Sequence, residues 1–130
     1  MDEFDQVANR IKNYFDDLDS LKAEGVKTKT GYYATSMVLF SILNDCITLA
    51  ELFMSKRQYS APMSYKEMVE LLEAKNILSP PVSKKMKLLF SKRNLIAHEY
   101  GTINESDIIL LSKEMGWAKK FVSELYSKYK

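Results

Sequence analysis

A single histidine, His98, stands in this 130-residue chain, and an arginine precedes it by five positions. Both belong to the octet RNLIAHEY, residues 93–100, which also holds Asn94 directly after Arg93 and Tyr100 two residues after His98. Histidine titrates near neutral pH, so it can take or give a proton under ordinary conditions. Arginine carries a permanent planar charge whose fork of donors fits a phosphate. The pair therefore points to chemistry at a phosphate. Around it, residues 82–98 carry Lys84, Lys85, Lys87, Lys92 and Arg93 with no acid among them. Such a run attracts a polyanion and makes its binding salt-sensitive, although a solvated helix face has the same composition. Phe90 and Tyr100 could stack on bases, and both serve equally well as core residues.

The octet must be positioned by a helix. On a helical wheel Met86, Leu89, Phe90, Ile96 and Ala97 share one face, with Arg93 at its centre and Tyr100 almost eclipsed with it seven residues on. A guanidinium in an apolar stripe is costly unless it has a partner. Two explanations are open: an ion pair with Asp45 or Glu51, or a partly buried anion site. His98 falls about 140° round the helix from Arg93, so the two do not share a strict face. Arginine is long enough to reach round, and the helix can loosen before Gly101. Asn94, four residues before His98, lies on its side. A histidine near a helix end also serves simply as a cap.

The other elements follow from spacing. Phe4, Val7, Ile11, Tyr14, Leu18 and Leu21 predict an amphipathic helix over 3–23, ended by Gly25, with KTKTG as a basic connector. Residues 32–56 read as a long central helix, apolar on most of its circumference and therefore buried. Its polar residues Ser41, Asn44, Asp45, Thr48, Glu51 and Ser55 form one stripe that faces solvent, a cavity or a second subunit. A loop over 57–63 contains Pro62. Ser64 and Glu67 then make a capping box that opens the helix YKEMVELLEAK. After a connector ending in Pro80 and Pro81, the helix from about Val82 to Ala97 carries the octet. Asn104 or Ser106 caps a last helix to about Tyr126, leaving Tyr126 and Tyr129 in a fraying end. Trp117 and the seven methionines read as core or interface filling. No strand pattern or repeat is visible. The expected fold is all-α, an antiparallel bundle of about five helices forming one domain over 1–130.

Composition narrows the function. With 46% apolar and 28% charged residues, four glycines and three prolines, the chain fits an ordered helical protein. A net charge of +2 does not by itself demand a nucleic-acid partner. The lone Cys46 excludes an internal disulfide and a cysteine-based zinc site, and its apolar surroundings make it a core residue. Asp45 and Glu51 share no evident ligand geometry with a third acid, so no metal is expected. No glycine-rich phosphate loop suggests a nucleotide-binding α/β fold. The acidic start MDEFDQ does not read as a signal peptide, and Asn44, Asp45 and Glu51 interrupt the longest apolar stretch. The expectation is a cytoplasmic protein without a membrane span.

RNLIAHEY resembles the signature of HepT-like HEPN proteins: arginine, four residues, histidine, any residue, tyrosine. A polar residue after the arginine, here Asn94, is also common there. The likeness extends back through SYKEMVELLEAKNILSPPVSKKMKLLFSK and forward through GTINESDI, covering about 100 residues from Tyr32 onward. The resemblance implies a helical bundle with metal-independent ribonuclease activity and no cofactor, the toxin of a HepT/MntA-type toxin–antitoxin pair. It implies a homodimer whose two motifs line one cleft. It also implies a cognate minimal nucleotidyltransferase antitoxin that attaches AMP to the motif tyrosine, here Tyr100.

On that reading a 2′-hydroxyl of RNA attacks the adjacent phosphorus, with His98 as general base or acid. Arg93 holds the phosphate, Asn94 orients His98 or the phosphate, and Lys92 and Tyr100 support RNA binding. One histidine per chain against two proton transfers favours a dimer. The competing reading is a non-catalytic HEPN helical adaptor that binds a minimal nucleotidyltransferase or a nucleotide.

Overall fold

The computed structural model describes residues 2–98 and 105–129, including their side chains except those of 94–98. Six helices are present among these residues: α1 Glu3–Glu24, α2 Lys29–Lys56, α3 Tyr65–Ala74, α4 Pro80–His98, α5 Glu105–Glu114 and α6 Gly116–Tyr129. The all-α expectation holds, with one element more than the spacing suggested. The final helix is interrupted at Met115, whose N–H bonds the Ser112 carbonyl at 3.3 Å while its own carbonyl starts the next turn at Ala118. Gly116 beside it favours the break, because glycine costs a helix interior about 1 kcal/mol relative to alanine.

Each boundary has a local cause. Asp2 caps α1 by accepting the Asp5 N–H at 2.9 Å, which holds its carboxyl below the usual range. Gly25 ends α1 with φ +77°, a conformation that suits glycine, and donates to the Leu21 carbonyl. The central helix begins three residues earlier than its apolar pattern. The Thr28 hydroxyl accepts the Gly31 N–H at 3.0 Å, so part of KTKTG is helix rather than connector. Gly31 is needed there, since a Cβ would stand 2.1 Å from the Gly25 carbonyl oxygen. Ser64 accepts the Glu67 N–H at 3.1 Å, one arm of the expected capping box. Asn76 closes α3 in the left-handed region at φ 60°, which asparagine tolerates. It thereby turns Ile77 and Leu78 into the core.

The central helix is the core of the bundle. Leu39, Ile42, Leu43, Cys46, Leu49, Ala50 and Phe53 are fully buried, and α1, α4, α5 and α6 pack round them. By length and composition α2 could cross a membrane, but half of its most apolar window is buried within the protein. Burial raises the Cys46 thiol pKa well above its usual range, as befits a core residue. The α3 helix packs on α4, and Phe90 of α4 meets Phe121 of α6 edge-on at 5.7 Å.

One expectation at the periphery is corrected. Tyr129 is docked rather than frayed: its ring stacks on Phe4 at 3.7 Å and its hydroxyl donates to Asp2 at 3.1 Å. Lys56 caps the helix end by donating to the Tyr129 carbonyl. The methionines, expected in the core or at an interface, divide: Met54, Met68, Met86 and Met115 are buried while Met37 and Met63 are exposed.

Candidate functional site at the meeting of α2, α3 and α4

Arg93 lies in the last two turns of α4 on the face that buries Met86, Leu89 and Phe90. Its guanidinium is half-buried and reaches both neighbouring helices. Nη1 donates to Asn44 Oδ1 of α2 at 3.0 Å, and Nη2 donates to the hydroxyl of Tyr65, the first residue of α3. The guanidinium also lies over the Tyr65 ring at 4.9 Å and near the Phe40 ring at 6.0 Å. Tyr65 in turn leans on Phe90 at 6.3 Å. Asn44 and Tyr65 are neutral acceptors, so these two contacts orient the guanidinium without bringing a carboxylate to it. An oriented guanidinium between aromatic faces is suited to gripping an anion.

The ion pair with Asp45 considered from sequence is not formed. Both Asp45 oxygens are taken by Arg10 of α1, at 2.7 and 2.9 Å, and the carboxylate beside Arg10 raises the pKa of that guanidinium. Glu51 is exposed to solvent. The polar stripe on α2 therefore does not have one destination. Asp45 is buried toward α1 while Asn44 turns to α4, as a 100° step between helix neighbours allows.

The remaining predicted residues are placed only in part. Asn94 and His98 belong to the backbone of α4, with His98 its last residue, about 8 Å along the axis from Arg93. Their side chains, and Tyr100 altogether, lie outside the described residues. Lys92 is exposed next to Arg93. The basic run is less bare than its own sequence suggests, because acids arrive from other helices. Lys85 lies 3.8 Å from Glu114 and Lys87 3.6 Å from Glu70. Asn44, Tyr65 and Phe40 were not singled out from sequence as site residues. The available signals were an asparagine within the most apolar helix and a tyrosine directly after a capping serine.

Comparison with known proteins agrees with this architecture. A family model described as ribonuclease HepT-like matches residues 4–116, so the likeness begins well before Tyr32 and includes α1. No curated protein matches the chain by sequence. The fold is similar to that of a tri-AMPylated Shewanella oneidensis HEPN toxin solved in complex with MNT antitoxin. The TM-score is 0.88 at 18% identity over 98% of this chain and 100% of that one. A toxin–antitoxin crystal structure with AMP-PNP gives 0.86 at 16% identity, over 98% and 100%. A cytosolic protein of unknown function from Bacillus subtilis, YutE, gives 0.75 at 13% identity, over 92% and 87%.

Proposed function

Because the chain belongs to the HepT-like ribonuclease family, we propose that it is a metal-independent endoribonuclease, the toxin of a HepT/MntA-type pair. The observation that carries this reading is the anchored guanidinium of Arg93, held by Asn44 and Tyr65 on the helix that ends in His98. Arg93 grips the scissile phosphate and stabilises the charge that develops on it. One His98 takes the proton of the 2′-hydroxyl as its oxygen bonds to phosphorus. The bond from phosphorus to the 5′-oxygen breaks, and a second His98 protonates that leaving oxygen. The products are a 2′,3′-cyclic phosphate and a 5′-hydroxyl. Asn94 orients the histidine or the phosphate, and Lys92 and Tyr100 contact the RNA.

Two histidines require two chains. The outer face of α2 offers a surface for this: Tyr33, Met37, Phe40, Asn44, Ile47 and Glu51 recur at alternating steps of four and three, the spacing of a helix–helix seam. Tyr33 is 51% and Met37 65% exposed, a large apolar exposure for a helix otherwise in the core. The seam includes Phe40 and Asn44, two of the residues round Arg93, so a second copy seated here adjoins the anchored arginine. The partner that silences the enzyme is a minimal nucleotidyltransferase, in keeping with the HEPN–MNT assembly of the similar Shewanella protein. AMP attached to Tyr100, seven residues from Arg93, adds negative charge and bulk that compete with RNA phosphate for the guanidinium. The setting for such a pair is the cytoplasm.

The deciding experiment is cleavage of a mixed RNA pool in EDTA by the wild-type protein and by His98→Ala, with the ends mapped and the folds compared by circular dichroism. Cyclic-phosphate ends from the wild type alone are expected. An unmodified wild type that leaves RNA intact would replace this reading with that of a helical adaptor for the nucleotidyltransferase.

A further inference from the structure

Trp117, read from its spacing as core or interface filling, packs on the edge of the core with part of its ring open. It is half-buried near the start of α6 and lines an open groove of about 540 Å³ with Pro81, Val82, Lys120, Ser123 and Glu124. Two cations flank its ring: Lys120 Nζ stands 4.4 Å from the centroid and Lys85 Nζ of α4 5.8 Å. The groove acid, Glu124, is engaged by the N–H of Ser79 at 2.9 Å, at the mouth of α4. Glu114 meets Lys85 only at 3.8 Å, with both side chains well exposed, and such surface pairs contribute little.

From Lys85 the exposed face of α4 leads toward the candidate site. Lys85, Leu88 and Lys92 follow one another at steps of three and four, so Lys92 is almost eclipsed with Lys85 and about 10 Å farther along the axis. Leu88 between them is 55% exposed, and Lys92 adjoins Arg93. An aromatic face beside lysines, continued by an apolar contact and a further lysine, is the composition of a single-stranded nucleic-acid track. Bases stack without sequence preference while cations follow the backbone.

We propose that Trp117, Lys120 and Lys85 form a binding site for single-stranded RNA outside the cleavage centre, and that the strand crosses α4 over Leu88 to reach Lys92 and Arg93. A base stacks on Trp117, and its flanking phosphates lie against Lys120 and Lys85. This site rests on the RNA reading above, and it explains why a half-buried aromatic of α6 and a lysine row lie on the side of α4 that does not anchor Arg93.

Trp117 is the chain's one tryptophan, so its fluorescence reports on the site directly. The test titrates a single-stranded RNA octamer into the His98→Ala protein, which stops turnover, following Trp117 emission and, with end-labelled RNA, anisotropy. Expected are quenching that tracks binding and a loss of affinity of roughly 5- to 100-fold in Trp117→Ala. Lys120→Glu, which keeps the aromatic residue, should weaken binding and lower the salt dependence by about one phosphate contact. Binding by anisotropy with unchanged emission and unaltered affinity in Lys120→Glu would overturn the proposal, as would no binding at all. Quenching by an acidic peptide but not by RNA would make the groove a protein interface and overturn it equally. If the octamer quenches Trp117 while the wild type cleaves no RNA, the RNA site stands and the ribonuclease reading falls.

Discussion

Arg93 shows how a charge in an apolar stripe can be oriented by neutral side chains. Its two defined hydrogen bonds go to Asn44 and Tyr65, which carry no charge. Had the adjacent Asp45 faced α4 instead of Arg10, a carboxylate would have stood where Asn44 now accepts. That asymmetry can be tested at a single position. Asn44→Asp should leave the fold at least as stable, since a carboxylate gives Arg93 a stronger partner. It should nevertheless reduce RNA cleavage by about 100-fold or more, because the added carboxylate competes with and repels an incoming phosphate. Asn44→Ala and Tyr65→Phe each remove one orienting bond to a charged donor, worth about 1.5–3 kcal/mol. They should lower kcat by roughly tenfold with a smaller effect on KM, the signature of misplacement rather than lost binding. Melting curves measured beside initial rates separate the two cases. Equal activity in wild type and Asn44→Asp would remove Arg93 from phosphate contact. The sequence marked Arg93 as an anomaly, yet it offered Asp45 or Glu51 as its partner and not neighbouring Asn44. One residue's rotation on α2 decides which helix each side chain meets, and only packing fixes that rotation.

At the scale of elements, what was legible is what local chemistry controls. The capping serine before α3, the paired prolines at α4 and the three- and four-residue spacing of α1 each specify a boundary or a face through neighbours in the chain. The early start of α2 and the break at Met115 were not legible, because a continuous apolar pattern hides a break. A threonine cap in a basic connector likewise looks like any other polar residue. The turn between α1 and α2 has a sharper requirement than its composition suggests. Gly25 occupies a left-handed conformation, and its carbonyl oxygen fills the space where a Gly31 side chain would begin. Gly31→Ala is therefore expected to destabilise the protein by about 2–4 kcal/mol, somewhat more than the roughly 1–3 kcal/mol of Gly25→Ala, whose φ of 77° and ψ of −171° suit glycine alone. The clash is with backbone, so relief requires prying α1 from α2. Urea denaturation of the two variants provides the comparison. A Gly31→Ala protein as stable as wild type would mean that the turn adjusts without disturbing the helix pair.

For the whole molecule the arithmetic of protons is the strongest constraint. Each chain carries one histidine, while cleavage by 2′-hydroxyl attack benefits from one group that accepts a proton and one that gives it. If the two arrive from two chains across the α2 seam, the active unit is the dimer and a half-equipped dimer is nearly inert. Wild-type protein exchanged with an excess of His98→Ala should then lose activity as the square of the wild-type fraction. At one part in four, about a sixteenth of the activity should remain for the total protein, rather than a quarter. Met37→Glu supplies the matching control. It places a charge in the exposed apolar stretch of α2, about two turns from Asn44. It should yield a monomer by sedimentation with unchanged helicity and little cleavage, because burying an unpaired carboxylate at a helix seam is strongly unfavourable. A linear mixing curve, together with an active Met37→Glu monomer, would assign both proton transfers to one chain. The second group would then have to be something other than histidine.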